Sequence, residues 1–174
     1  MQVTFVGTWK LNLEKSDLDP KHVPLGGTVV FELDSEGWYL MRAEGINSAG
    51  KKVAERPQRF VLDGEEHPIP DMPGLKGSAT RPDANTLVGE AKRNGEVVGH
   101  GVYEVSADGK TLTATATGMG VNGPFKTRAV FDRQSHGSGS APWRSRLGFE
   151  PSGATLPELR AGRWWCCAPP GVPR

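Results

Sequence analysis

A histidine flanked by two glycines is the side chain in this sequence best suited to chemistry. His100 lies in the run Val98-Gly99-His100-Gly101-Val102, where no bulky neighbour crowds it. A neutral imidazole inside a cavity could act as a general base with the carboxylate of Glu104 or the phenol of Tyr103. The same imidazole could bind a metal ion or haem. The alternative is a histidine on the solvent face of a strand, with the two glycines on the core side.

Further polar side chains are candidates for contact with a bound small molecule, together with His100. They are Tyr39, Arg42, Glu44 and Arg128. An arginine that faces a protein interior provides a charge-assisted partner for an anion. Arg42 and Glu44 share one face of a predicted strand and could equally form an exposed set. Arg128 could equally lie on the outside.

No established catalytic or cofactor-binding signature is present. The run Ser48-Ala49-Gly50-Lys51 matches the Ser-x-x-Lys pattern, but its alanine and glycine are typical of a hairpin tip. The adjacent Cys166 and Cys167 suit neither a disulfide framework nor a zinc site. We therefore expect no cofactor. An enzyme, either a hydrolase or an isomerase, stays open as the alternative to a binding protein.

The elements that must position these side chains are strands. Apolar and β-branched runs recur at short intervals between turn signals, with no convincing helical period. Turns such as Asp63-Gly64 and Asn94-Gly95 supply the positive φ angles of tight hairpins. The predicted strands are Val3 to Leu13, Gly27 to Leu33, Trp38 to Ile46, Lys52 to Leu62, Gly74 to Thr80, Thr86 to Arg93, Glu96 to Ser106, Thr111 to Gly118 and Phe125 to Asp132.

Consecutive hairpins predict an all-β fold, an antiparallel up-and-down meander. A meander of about 8–10 strands would leave two exposed edges, and closure into a barrel removes them. The segment from Glu14 to Gly26 breaks the strand pattern. It predicts either one helical turn across the mouth of the barrel or an irregular loop.

Small residues recur on single faces of the predicted strands. The pairs that share a face are Gly89 with Ala91, Gly99 with Gly101, and Ala114 with Ala116. If these faces point inward, the barrel has room for a ligand, whereas outward they would only let the strands twist. We favour the inward orientation, because a barrel of this strand number encloses space of ligand size.

Composition is that of an ordinary soluble protein. The chain has 174 residues, of which 36% are hydrophobic, and a formal net charge of +1. No run approaches the roughly 18 consecutive apolar residues of a membrane helix, and no basic face for nucleic acid is evident. We expect a cytoplasmic protein, a monomer or weak homodimer, whose partner is a small molecule and neither nucleic acid nor a membrane.

The chain divides into two predicted segments. Residues 1–134 form the barrel domain. From Ser135 the composition changes, because a linker-like Gly/Ser run leads into a segment, 135–174, rich in Arg, Pro, Gly and Trp without periodicity. This tail is either disordered or derived from vector or out-of-frame sequence, or it is a natural segment whose Trp164-Trp165 pair docks on the barrel or a neighbouring subunit.

Several short motifs are shared with a known superfamily. They are Gly7-Thr8-Trp9-Lys10-Leu11-Asn12, Lys15-Ser16, Asp83-Ala84-Asn85-Thr86, Val105-Ser106-Ala107-Asp108-Gly109-Lys110-Thr111-Leu112-Thr113 and Val130-Phe131-Asp132-Arg133-Gln134. Over residues 5–134 the chain resembles the calycin superfamily of lipocalins and fatty-acid-binding proteins. It looks closest to short bacterial lipocalin-like proteins of mostly unassigned function. The resemblance implies a β-barrel that binds a small apolar or amphipathic molecule in its lumen.

The resemblance also implies a basic side chain over the first-strand tryptophan. Arg133 or Arg128 from the last strand is expected to pack on Trp9 as a cation–π pair. Fatty-acid-binding proteins resemble one another in clamping a carboxylate with an Arg-x-Tyr pattern on this strand. Here Val130 stands two residues after Arg128, so the resemblance does not extend to a fatty-acid site.

Overall fold

The computed structural model describes residues 5–18, 23–55, 57–69, 72–120 and 123–135. These residues form one antiparallel sheet of eleven strands, and the described ranges contain no helix. The strands are β1 (Gly7–Leu11), β2 (Gly26–Leu33), β3 (Tyr39–Ile46), β4 (Lys52–Ala54), β5 (Gln58–Phe60), β6 (His67–Pro68), β7 (Leu75–Asp83), β8 (Thr86–Arg93), β9 (Glu96–Val105), β10 (Thr111–Gly120) and β11 (Gly123–Arg133). The prediction of an all-β fold is confirmed.

The sheet is a meander whose first and last strands pair. Its order is β4-β3-β2-β1-β11-β10-β9-β8-β7-β6, and β5 also pairs with β3. The β1–β11 pairing sets Trp9 opposite Arg133 and Leu11 opposite Phe131. The two chain ends of the meander therefore meet, as the barrel prediction requires.

The predicted closure is incomplete. Within the described residues, no strand pairing joins β4 or β5 to β6 or β7. Pro57 interrupts the predicted strand Lys52 to Leu62 between β4 and β5, and Pro68 lies in β6 on the other side of the gap. Proline has no N–H to donate to a strand ladder, so it is confined to sheet edges. The Trp38 and His67 rings, whose centroids are 5.8 Å apart, span this gap by a side-chain contact.

Successive connections lie at alternate ends of the barrel. We call the end with the β1–β2, β3–β4, β6–β7, β8–β9 and β10–β11 connections the mouth end, and the opposite end, with the β2–β3, β7–β8 and β9–β10 connections, the closed end. The connection between β5 and β6 starts at the closed end, since Phe60 pairs with Tyr39. In the β1–β2 connection the described part is a turn followed by a bridge between Asp17 and Arg128, and residues 19–22 lie outside the described ranges.

The main apolar core fills the closed end. Large side chains from both halves of the sheet meet there, and the largest fully buried ones are Trp9, Phe5, Phe31, Phe131, Leu112 and Val29. Phe31 contacts Phe5 and Tyr103 edge to face, with ring centroids 6.4 and 6.2 Å apart. A smaller, separate cluster of Leu75 and Ala91 lies toward the mouth end, on β7 and β8. The start of the predicted first strand at Val3 and the tail after Ser135 lie outside the described residues.

Candidate functional site

Arg133 covers Trp9 at the base of the barrel. The guanidinium carbon lies 4.1 Å from the centroid of the fully buried indole, whose Nε1 donates a hydrogen bond to the Phe5 carbonyl at 2.9 Å. Arg133 itself donates to the carbonyls of Gly109 (Nε, 2.6 Å) and Val6 (Nη1, 2.9 Å). Burial lowers the pKa of this guanidinium from a very high ordinary value. The predicted cation–π pair is confirmed, with Arg133 rather than Arg128 as the cation.

Gly7 makes room for this arrangement. Its φ of +139° lies in a region that favours glycine, and a Cβ built on it would be 2.9 Å from Arg133 Nη1. The glycine of the Gly7-Thr8-Trp9 motif therefore lets the backbone pass beneath the guanidinium. The motif and Arg133 form one structural unit that closes the base of the barrel.

Two rows of glycine and alanine cross four strands on the inner face. They follow the pairing register, and the members of the first row are Ala79, Gly89, Gly101 and Ala116, those of the second Gly77, Ala91, Gly99 and Gly118. Their orientation follows from neighbours on the same strand faces, because Tyr103 contacts core Phe31 and Ala114 belongs to the core. The predicted inward orientation of the small-residue faces is confirmed.

A cavity opens between the inner faces of β2 and β3 and those of β10 and β11. It has a volume of about 70 Å³. Its walls are mostly apolar or small, and they include Leu11, Gly27, Val29, Ala43, Val53, Tyr103, Ala114, Ala116, Ala129 and Phe131. Leu18, Pro24 and Ile46 stand at its mouth. Pockets for drug-sized ligands occupy about 300 Å³ or more, so a ligand of that size requires the mouth to widen.

His100 lies on the outer face of the sheet, away from this cavity. It pairs in register with Glu90 and Thr117, while its neighbours Gly99 and Gly101 are buried on the inner face. The lumen orientation expected for His100 is thus not what the structure has, because alternation along β9 directs it outward. The histidine therefore has the solvent-facing position, with its two glycines on the core side.

The three candidate catalytic side chains are divided between the two faces. Glu104 lies on the outer face with His100 but four residues along the strand, a separation of about 13 Å at strand rise. Tyr103 lies on the inner face and lines the cavity. The fold does not bring His100, Glu104 and Tyr103 together at one point.

The remaining candidate ligand-binding residues also separate. Tyr39 faces inward but lies in the core at the closed end, stacked on Phe60 with ring centroids 5.5 Å apart. Arg42 is on the outer face, where its Nη2 lies 3.2 Å from the Glu32 carboxylate. Glu44 alternates outward too, but it borders the cavity at the mouth. These positions follow from the register of β2 with β3.

Arg128 supports the β1–β2 connection from the outer face. Its Nη1 donates to the Lys15 carbonyl at 3.1 Å, and its backbone exchanges hydrogen bonds with Asp17 at 2.7 and 2.8 Å. Of the two orientations open for Arg128, the structure therefore has the outer one. Val130, on the same face, is covered by this segment because the Ser16 hydroxyl accepts a hydrogen bond from its N–H at 2.9 Å.

Several cavity residues escape sequence reasoning. Gly27 and Gly45 face inward at the mouth, and a Cβ on Gly45 would be 2.8 Å from the Gly26 carbonyl oxygen. Glu55 also borders the cavity, and its N–H donates to the Ala43 carbonyl at 2.8 Å. The inward orientation of both glycines could be predicted from the alternation of apolar and polar residues along β2 and β3. Nothing local distinguishes the orientation of Glu55, which follows the break at Pro57.

The described residues contain no group of three or more His, Cys, Asp and Glu side chains arranged to hold a metal ion. The same residues contain no helix with the length and apolar content needed to cross a bilayer.

Comparison with known proteins supports the fold. No family model and no curated protein matches the sequence. Among solved structures, the fluorescent protein UnaG aligns with a TM-score of 0.52 at 18% identity, covering 77% of this chain and 100% of that one. The secretary abundant heat soluble protein of Ramazzottius varieornatus aligns with a TM-score of 0.52 at 14% identity, covering 77% and 98%. This chain therefore has the antiparallel β-barrel fold of these structures, with its sheet left open between β5 and β6.

Proposed function

We propose that this protein binds a small apolar or amphipathic molecule in the mouth half of the barrel. The observation that carries the proposal is the inward orientation of the glycine and alanine rows, with Ala116 of the first row in the cavity wall. Core positions of a sheet are ordinarily filled by large side chains to a density that leaves few voids. At Ala116, the member of these rows that borders the cavity, a small side chain leaves interior space for a guest.

The cavity wall favours an apolar body on the ligand. Among the described residues that line it, Glu44 and Glu55 are the only charged ones. A ligand with a polar group therefore binds with its apolar part among Val29, Ala114 and Phe131 and the polar group at the mouth. This orientation avoids desolvation of the polar group.

The geometry favours neither an enzyme nor haem binding. Both alternatives rest on His100, whose strand alternation directs it to the outer face. Cytoplasmic location and a monomeric or weakly dimeric state stay predictions, as does the boundary of the barrel domain at residue 134.

Filling the cavity tests the proposed function. Ala116→Leu adds three carbon atoms at the wall of a cavity of about 70 Å³, so we expect it to reduce binding of the neutral dye Nile red at least tenfold. The matched control is Thr117→Leu, which adds apolar surface to the outer face of the same strand. Dye fluorescence is titrated for both variants and the wild type, and circular dichroism checks that the fold is retained.

Equal dye affinity in all three proteins would show that the dye binds elsewhere. If Thr117→Leu lost as much dye affinity as Ala116→Leu, the loss could not be attributed to filling the inner face. Either result rejects the proposed lumen site.

A further inference from the structure

The carboxylate of Glu55 lies on the inner face of the barrel, beside the cavity. Val53 in β4 lines the cavity opposite Gly45 in β3. The Glu55 N–H continues this ladder, because it donates to the Ala43 carbonyl at 2.8 Å. Side chains two residues apart share a strand face, so Glu55 has the inward orientation of Val53. It is half-buried and lies one inner row below Gly45, just inside the rim.

The charge that borders the cavity has one sign. Among the described residues that line it, Glu44 and Glu55 carry charge, and no lysine, arginine or histidine is among them. Glu44 alternates outward at the rim, so Glu55 is the acidic residue whose strand directs its side chain inward. Apolar walls lower the local dielectric and strengthen the attraction of a carboxylate for a cation. The cavity therefore presents negative charge to a guest.

Basic side chains on the strands around the cavity point elsewhere. Arg128 and Arg42 lie on the outer face, where a backbone carbonyl and a carboxylate hold their guanidinium groups at 3.1 and 3.2 Å. Lys52 alternates outward too, because the next residue in β4 lines the cavity. Arg133 covers the indole at the base of the barrel. An anionic head group beside Glu55 would therefore meet a carboxylate and none of these cations.

Arg93 is the cation that competes with this arrangement. It pairs with buried Leu75 at the mouth end of β7 and β8, which gives it the inner side of the sheet. It lies further round the sheet, because β9 runs between β8 and the β10 wall of the cavity. Arg93 does not border the cavity. An anionic guest would lie toward Arg93 and a cationic one beside Glu55, so the sign of the guest's charge separates the two positions.

We propose that the guest is a cationic amphiphile, an organic ammonium compound whose charged group pairs with the Glu55 carboxylate while its apolar part lies among Val29, Ala114 and Phe131. This inference rests on the proposed lumen function and adds to it the chemical class of the ligand. An ammonium group donates charge-assisted hydrogen bonds to a carboxylate, whereas a second carboxylate is repelled by it. Glu55 is thus the residue that determines specificity for the head group.

Three compounds with the same octyl chain and different head groups test the charge of the guest. Octylammonium, octanol and octanoate are titrated into the full chain at neutral pH, and isothermal titration calorimetry gives the affinity of each. We expect octylammonium to bind at least tenfold more tightly than octanoate, with octanol between them. Added salt should weaken the binding of octylammonium and leave that of octanol unchanged, because salt screens a charge pair.

Variants of the acidic residues test the role of Glu55. Glu55→Gln keeps the size of the side chain and removes its charge, so it should lower the affinity for octylammonium about tenfold and leave that for octanol unchanged. Glu55→Lys should reverse the preference toward octanoate. Glu14→Gln is the matched control, because it removes the same charge from the exposed β1–β2 connection at the mouth end, outside the cavity. Its affinity for octylammonium should equal that of the wild type.

Equal affinities for octylammonium and octanoate would overturn the proposal, as would a preference for octylammonium that Glu55→Gln retains. Tighter binding of octanoate that Arg93→Gln removes would overturn it in favour of an anionic guest. Nile red is titrated into the same proteins in parallel. Dye binding with no preference among the octyl compounds rejects the cationic guest alone, whereas a wild-type protein that binds neither the dye nor any octyl compound rejects the lumen site itself.

Discussion

At the scale of single residues, the unit of Gly7, Trp9 and Arg133 explains how the barrel base is closed. The indole is fully buried, its N–H is satisfied by Phe5, and the guanidinium above it is held by two carbonyls. A cation–π contact contributes about 0.5–2 kcal/mol, more as the cation loses its water. The two charge-assisted hydrogen bonds fix where the guanidinium lies, so the contact depends on the backbone at Gly7.

Gly7→Ala is expected to destabilise the fold by about 1–3 kcal/mol, because its φ is strained for any residue with a Cβ and the Cβ would meet Arg133 Nη1 at 2.9 Å. Gly26→Ala is the control, since a Cβ there meets no atom within 4 Å. Urea unfolding compares the two variants with the wild type. An unchanged midpoint in Gly7→Ala would show that the guanidinium does not depend on a glycine at this position.

Four aspartates that cap turns by accepting backbone N–H groups give the fold a pH dependence. The Trp38 N–H lowers the pKa of Asp34, the Glu65 N–H that of Asp63, and the Asn85 N–H that of Asp83. At Asp108 the Ser106 hydroxyl is the main cause of the lowered pKa. A carboxylate whose folded pKa is depressed stabilises the fold above its unfolded value and loses that effect as pH falls through the folded pKa.

We therefore expect the melting temperature to fall as the pH drops below about 4, near the unfolded pKa of aspartate. Each group is exposed, so the contribution of any one of them is modest. A variant with Asn at all four positions should lose part of this dependence. A variant whose melting temperature falls with acid as steeply as that of the wild type would show that other carboxylates control it.

At the scale of elements, the sequence predicts that side chains alternate between the two faces of each strand. It does not predict which of the two faces is the inner one. The sequence indicates that Gly99 and Gly101 share a face opposite His100. Either the glycines or the histidine could face inward on physical grounds. Valines at positions 98 and 102 share the His100 side, which favours neither side as the core. The contact of Tyr103 with Phe31 in the core shows which face of β9 is the inner one. The small residues thereby face the lumen and the histidine faces outward.

The gap in the sheet has a similar origin. The sequence predicts closure, because a long meander otherwise exposes edges. It does not indicate where the meander opens, because Pro57 and Pro68 come to lie at the two edges of the gap only in the folded sheet. Proline at both edges prevents ladder pairing at that point, and the Trp38–His67 contact takes its place.

At the scale of the whole molecule, the barrel has two chemically different ends. The closed end is filled by aromatic side chains and bears the capping aspartates, whereas the mouth end has small residues inside, exposed apolar side chains such as Leu25 outside and an asparagine cap at Asn47. The turn residues separate in this way because meander topology sends successive turns to opposite ends.

Native mass spectrometry of the full chain purified from cells tests most directly whether the mouth half of the barrel holds a small apolar guest. We predict an added mass on the wild type and on Thr117→Leu, and its loss in Ala116→Leu. An Ala116→Leu protein that keeps the same added mass would contradict a guest in the lumen. So would a wild-type protein that carries no added mass and also fails to bind Nile red.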